Sequence, residues 1–184
     1  MRKYFHIFIL IPLCVLNSCE SDRLDINVTD SPIKLDVKRL DKTLFPIDTN
    51  DVNAKHIQLK EEFGNFAEVY LGYILQTKGL KDLNTLPSLA NDKVYPLIMT
   101  TQSEILNMES EIVHQMGVLE DGFKHLNHYF PESITPEIVL MNSWFQYGIF
   151  TTDSLLAIGL DFFISDTIIQ EVYPPQFYAY MKKD

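Results

Sequence analysis

Ile105, Met108, Ile112, Met116, Leu119, Phe123 and Leu126 recur at steps of three or four residues. A strand alternates every two residues, so only a helix puts this set on one side. The run predicts a long amphipathic helix from near Thr101 to Asn127, closed by Phe130-Pro131. Such a stripe must be covered, so the rest of the chain has to offer it a surface. Gly117 and Gly122 weaken its middle, each by about 1 kcal/mol relative to Ala. A second stripe precedes it: Leu59, Phe63, Phe66, Tyr70 and Tyr73. Val69, Leu71, Ile74 and Leu75 widen that stripe toward its C-terminal end, which predicts burial on more than one side. Gly64 and Gly72 inside it suggest close approach of another backbone, and Lys78-Gly79 reads as a left-handed stop.

The surface for these helices is a small sheet. Ile33, Leu35 and Val37 alternate with Lys34, Asp36 and Lys38, the period of a half-buried strand, which Phe45-Pro46-Ile47-Asp48 breaks. Ile138, Leu140, Asn142 and Trp144 alternate as well, and Tyr147 to Phe150 is a further strand candidate. Thr151 to Ser154 is a cluster of turn formers, followed by LLAIGLDFFI over 155–164, apolar enough for a strand covered on both faces. Strand, turn and strand make a C-terminal hairpin whose second member is central. The fold class is α+β: two long amphipathic helices packed on one face of a small sheet that includes this hairpin.

The N-terminus carries a different message. Arg2 and Lys3 precede an apolar run, Phe5 to Leu16, too short for a permanent membrane span of about 20 residues. Its length and flanks are those of a signal peptide over 1–18. Leu16-Asn17-Ser18-Cys19 has the form of a lipobox. Resemblance to bacterial lipoprotein precursors implies cleavage before Cys19 and acylation, palmitate included, of its thiol and amine. Residues 19–32 then form an acidic, polar tether ending in Ser31-Pro32, and 33–184 a single domain. Cleavage removes Cys14, so Cys19 is the last cysteine and no intramolecular disulfide remains. It leaves 13 basic against 25 acidic residues, a net charge of −12, with no basic cluster. That argues against nucleic acid and against electrostatic binding to anionic lipid, so membrane attachment falls to the acyl anchor.

Catalytic motifs are missing: no His-Glu-x-x-His, Cys-x-x-Cys, phosphate loop or Gly-x-Ser-x-Gly is present. His114, His125 and His128 each follow a stripe residue by two positions, about 200° round the helix, and so face away from the core. His114 and His125 are about 16 Å apart along it. No cofactor and no metal site is expected. Asp161 interrupts LLAIGLDFFI beside Gly159. It either aims into a cleft that Gly159 opens, or caps the segment after a strand ending near Gly159. The cost of a lone buried carboxylate favours the cap.

These pieces together resemble the gliding-motility lipoprotein GldB family of Bacteroidota. The resemblance rests on the lipobox cysteine, then IKLDVKRLDKTLF, FKHLNHYFPESITPEIV, SLLAIGLDFFI and YPPQFYAYM, in that order. It implies a non-enzymatic lipoprotein of the cell envelope, anchored by Cys19 in the outer membrane, that supports gliding or the associated secretion apparatus with other envelope motility proteins. Family members continue past YPPQFYAYM into a further helical half, so the resemblance also implies a chain truncated at its C-terminus. The apolar load of Phe177, Tyr178 and Tyr180 near the end agrees with that. Two alternatives stay open. One is the N-terminal half of a degenerate zinc-peptidase-like protein. The other is a lipid-anchored small-ligand binding protein, which a deep apolar pocket near Asp161 and Trp144 would favour.

The histidine placement generates a direct test. Elemental analysis of the purified, dialysed protein should find no stoichiometric transition metal. One equivalent of zinc that disappears in His125→Ala and His128→Ala variants would overturn the expectation.

Overall fold

The computed structural model describes residues 26–164. Cys19, the signal peptide, most of the tether and the segment bearing Phe177, Tyr178 and Tyr180 lie outside the described residues. Four strands form one sheet in the order β1-β2-β4-β3, with β1 Val37–Arg39, β2 Glu137–Met141, β3 Ile149–Thr151 and β4 Leu155–Gly159. β1, β2 and β4 run parallel, and β3 pairs antiparallel with β4. The hairpin is therefore present, and its second member is central. Thr152 closes its turn, donating its N–H to the Leu155 carbonyl at 2.9 Å.

All the described α-helices lie between β1 and β2: α1 Leu40–Leu44, α2 Val52–Phe63, α3 Asn65–Val69, α4 Thr85–Ala90, α5 Tyr95–Asn107 and α6 Glu109–Tyr129. The class is α+β, with two amphipathic helical stretches on a small sheet. The helices occupy both faces of the sheet, where the sequence suggested one. The cause is in β2, whose residues 138–141 are all fully buried. Alternate side chains of a strand point to opposite faces. Val139 and Met141 join Ala157 in a core with Leu40, Leu59, Phe66, Tyr70 and Leu86. Ile138 and Leu140 join a second core with Leu35, Ile105, Ile112 and Leu160. Each apolar core demands its own helical cover.

The first helical stripe is bent twice. Asp51 caps α2, its carboxylate accepting from Ala54 N at 3.1 Å. Gly64 then takes φ +54° and separates α2 from α3. No atom lies within 4 Å of where its Cβ would be, so backbone conformation rather than close packing selects glycine there. Gly72 does meet another backbone, with Gly79 Cα 3.6 Å from its would-be Cβ. Residues Tyr70–Ile74 form a π-turn in which Leu75 N reaches back to Tyr70 O at 2.8 Å. The extra residue in that turn shifts the phase of the stripe. Ile74 is fully buried, while Tyr73, expected inside, is 60% exposed. The helix ends here, not at Lys78. Gly79 still has φ +79°, and the Glu68 carboxylate rests on it while accepting from Leu80 N at 2.6 Å.

The second stripe is divided at Met108 into α5 and α6, and α6 ends at Tyr129 as Phe130-Pro131 implied. Ile98, Thr101, Gln102 and Ile105 bury one side of α5. In α6 only Ile112 is fully buried, and Met116, Leu119 and Phe123 are half-buried. The strand expected over 33–38 is shorter and later. Leu35 is buried, but Val37 is 37% exposed because β1 is an edge strand with a single neighbour. Within the expected linker, Val28 is buried.

Gly117 and Gly122 sit inside α6, exposed, with open space where a Cβ would go. Replacing both by Ala removes backbone entropy from the unfolded chain without a clash. The double variant should gain about 1–2 kcal/mol in urea denaturation. An unchanged or lower midpoint would show that these glycines serve something other than the helix.

Candidate functional site

Three parallel strands end side by side, with Arg39 in register with Leu140, and Met141 with Gly159. In open sheets with parallel strands, binding sites gather beyond the C-terminal strand ends. Among the described residues that edge and the side chains bonded to it collect most of the buried polar groups: Asp41, Gln102, Asn142, Ser143 and Asp161. β1 runs into Arg39 and Asp41, β2 into Asn142, Ser143 and Trp144, and β4 into Gly159 and Asp161.

Asp161 lies in a 3-10 turn, Leu160–Phe163, directly after β4. The strand does end at Gly159, as favoured from the sequence. The carboxylate does not cap its own turn, however. It is fully buried and reaches across to the chain leaving β2. Ser143 N donates to Oδ1 at 2.8 Å and the Ser143 hydroxyl to Oδ2 at 3.0 Å, and Phe145 N also donates to Oδ2. The residues held this way, Trp144 and Phe145, have φ +53° and +54°. Two successive non-glycine residues in the left-handed region are strained by about 1–3 kcal/mol each, a cost that concentrates at functional sites. Gly159 is required beneath them. A Cβ there would stand 2.2 Å from the Tyr147 carbonyl oxygen and 3.0 Å from Ser143 Oγ.

A second carboxylate, Asp41, is also fully buried. Arg39 grips it with Nε to Oδ1 and Nη2 to Oδ2, both at 2.7 Å, the bidentate geometry that favours arginine. Arg39 Nη1 also reaches Glu109 Oε2 at 2.7 Å, and Lys42 binds that same oxygen at 2.9 Å. From Asp41 the network passes to Gln102 at 3.2 Å and then, over a long 3.4 Å contact, to Asn142. Tyr70 donates its hydroxyl to the Asn142 carbonyl at 2.6 Å. Burial, with the charges of Asp161 and Asp41, pushes the Tyr70 hydroxyl well above its ordinary pKa, so it stays a donor. Burial likewise raises Asp161, against the opposing bonds from Ser143 and Phe145. Bonds from Lys42 and then Arg39 hold Glu109 below its ordinary value.

Beside the Trp144 turn lies a cleft of about 420 Å³. Trp144, Gln146, Gln76, Thr85, Ser88 and Asp92 contribute to its wall, but Asp161 does not. The deep apolar pocket near both Asp161 and Trp144 that would favour small-ligand binding is thus not this cleft, which adjoins Trp144 alone and mixes polar with apolar groups in its lining. The histidines of α6 stand apart from all this. His114 and His128 are exposed, and His125 Nδ1 lies 2.9 Å from the Asp121 carbonyl oxygen. Among the described residues no three His, Cys, Asp or Glu are grouped to hold a metal ion. Sequence reasoning missed Arg39, Asp41, Gln102, Asn142 and Ser143. Gln102 did leave a trace, falling one helical turn from Ile98 and Ile105 on what proves to be the buried side of α5.

A sequence model described as gliding motility protein GldB matches residues 21–184. No curated protein and no solved structure matches the chain.

The Asp161 geometry fixes an outcome. Asp161→Asn turns one acceptor oxygen into an NH2 facing backbone or hydroxyl donors. It should cost about 2–4 kcal/mol in urea denaturation. A raised folded pKa sets the sign of the pH effect: the carboxyl's contribution is complete below the ordinary carboxylate value, about 4, and declines as pH rises through the folded pKa. The gap between wild type and variant should therefore be widest near pH 4 and shrink toward neutrality. A gap that grows with pH would show that the three donors outweigh burial.

Proposed function

The chain belongs to the gliding motility protein GldB family, and from that premise we propose that it acts as a non-catalytic lipoprotein of the cell envelope. In this reading Cys19 carries the acyl anchor, the outer membrane holds it, and residues 33–184 present a folded platform to other envelope motility proteins. The observation that carries the proposal is the family match over nearly all of the chain after the lipobox. Two further features support it. No described helix is long and apolar enough to cross a membrane, so an attachment outside the described residues suits the platform. The buried carboxylates of the strand-end cluster are each saturated by donors, the pattern of a scaffold rather than of an acid or base poised for proton transfer. A second reading, a lipid-anchored protein binding a small ligand, has only the cleft beside Trp144 in its support, and that cleft is neither apolar throughout nor lined by Asp161.

Cys19 provides the test. Native protein should enter the detergent phase and yield an acylated N-terminal peptide by mass spectrometry. Cys19→Ala should stay unprocessed and unlipidated, and cells carrying it should lose surface spreading. A free thiol on Cys19 in the processed native protein would sink the proposal, as would full gliding by the Cys19→Ala strain.

A further inference from the structure

The two faces of the sheet are covered to different extents. On the first face the cover reaches the outer strand, where Phe150 of β3 rests on Phe66 of α3 with ring centroids 5.8 Å apart. On the second face α5 and α6 bring Ile105 and Ile112 into the core of Ile138 and Leu140 of β2. Further out, Ile149 of β3 stands opposite Ile158 of β4 on that same face, and it is 65% exposed. Between α6 and β4 runs a groove of about 560 Å³. Its walls include Gln115, Val118 and Leu119 of α6, Ile158 of β4, and Leu160 and Phe163 of the turn after β4. Val118 and Phe163 are each more than half exposed.

Three observations select an occupant from the chain itself. The first is position. Ile164, the last described residue, is buried in the same core as Ile112 and Leu160 and directly follows Phe163 of the groove wall. The residues after it therefore start at the edge of the groove. The second is pattern. Ile168, Ile169, Val172 and Tyr173 fall within about 140° of a helix circumference, with Gln170 and Glu171 on the other side, and Pro174-Pro175 closes the run. Glu111 in the groove wall would repel an acid, and Glu171 falls on the side of the segment turned away from it. The third is dimension. From Met108 to Leu119 the wall of α6 runs about 16 Å, and residues 166–173 as a helix measure about 12 Å. A second copy of the chain competes poorly for the same groove, because a segment tethered at its edge has an effective concentration of about a millimolar.

We propose that residues 166–173 occupy this groove as a two-turn helix, with Ile168, Ile169, Val172 and Tyr173 turned toward Val118, Leu119 and Ile158. The segment then supplies the cover that the second face lacks over β4 and β3. The proposal stands independently of the lipid anchor and of the motility role.

Cross-linking reads the placement directly. The full-length chain is held in detergent, with Cys14 and Cys19 changed to serine so that no other thiol competes. Val118→Cys, at an exposed position in the groove wall, is combined in turn with Ile168→Cys, Ile169→Cys, Gln170→Cys, Glu171→Cys or Val172→Cys. Oxidation at about 1 μM protein, far below the effective concentration of the tethered segment, should close disulfides within one chain. Closure from 168, 169 and 172 should be about tenfold faster than from 170 and 171, because a disulfide forms only where the two Cβ atoms come close. Hydrogen exchange of the unsubstituted full-length chain supplies a measurement that no cysteine variant can spoil. Amides of 169–173 should exchange at least about tenfold more slowly than in a free peptide, and Ile168→Asp with Val172→Asp should abolish that protection. Equal closure from both sides of the segment would overturn the proposal, as would exchange at the free-peptide rate over 169–173. Disulfides that form only between chains would overturn it too, and would put a second copy in the groove.

Discussion

A carboxylate removed from water holds one end of this molecule in shape. Asp161 draws in the N–H groups of Ser143 and Phe145 and the Ser143 hydroxyl, and so dictates the path of the chain as it leaves β2. That path passes through two left-handed residues, a route the backbone would not take unaided. It delivers Trp144 to the cleft and Phe145 to the second core from adjacent positions, with their rings 6.0 Å apart. The arrangement also explains Gly159, since any side chain there would strike the Tyr147 carbonyl that the same turn brings close.

The Arg39–Asp41 pair plays a complementary part at the other side of the sheet edge. Removing a charge from water is expensive unless geometry and further bonds compensate. Here the pairing is bidentate, and Gln102 donates to one of the same oxygens at 3.2 Å. The two carboxylates meet their burial differently. Asp41 has a cation; Asp161 has only dipoles, and burial pushes its pKa up. Tyr70, between them electrostatically, stays protonated and joins the first helical stripe to β2 through the Asn142 carbonyl.

Much of the frame was legible in the sequence, because apolar periodicity is a local property. The two stripes follow from spacing, the hairpin with β4 central from the turn formers at 151–154 and the apolar run after them, and the helix closure from Pro131. Spacing could not reveal phase and partnership. The π-turn at Tyr70–Ile74 exchanges Tyr73 for Ile74 at the core, and no residue type announces that. Ile138 and Leu140 alternate with Val139 and Met141, which are just as apolar, so a period of two carried no information about a strand buried on both faces. The strand-end cluster was the least legible feature. Arg39 with Asp41, Gln102, Asn142 and Asp161 come from distant stretches of the chain, and only the parallel pairing of β1 with β2 and of β2 with β4 brings them to one edge. Asp161 alone stood out, because an acid inside an apolar run is conspicuous wherever it points.

The long helix α6 has a mechanical consequence. Over 21 residues it spans about 31 Å, yet the residue it buries completely is Ile112, in its first turn. Its first turn is clamped by Glu109 to Arg39 and Lys42, whereas at its far end Leu126 and Tyr129 are 39% and 42% exposed. Local opening free energy follows the density of buried contacts. Amide hydrogens should therefore exchange with solvent in a gradient along the helix, slowest around Ile112 and fastest toward Tyr129. The helix behaves as a beam fixed at one end, and its outer turns can bend or unwind while the strand-end cluster stays intact.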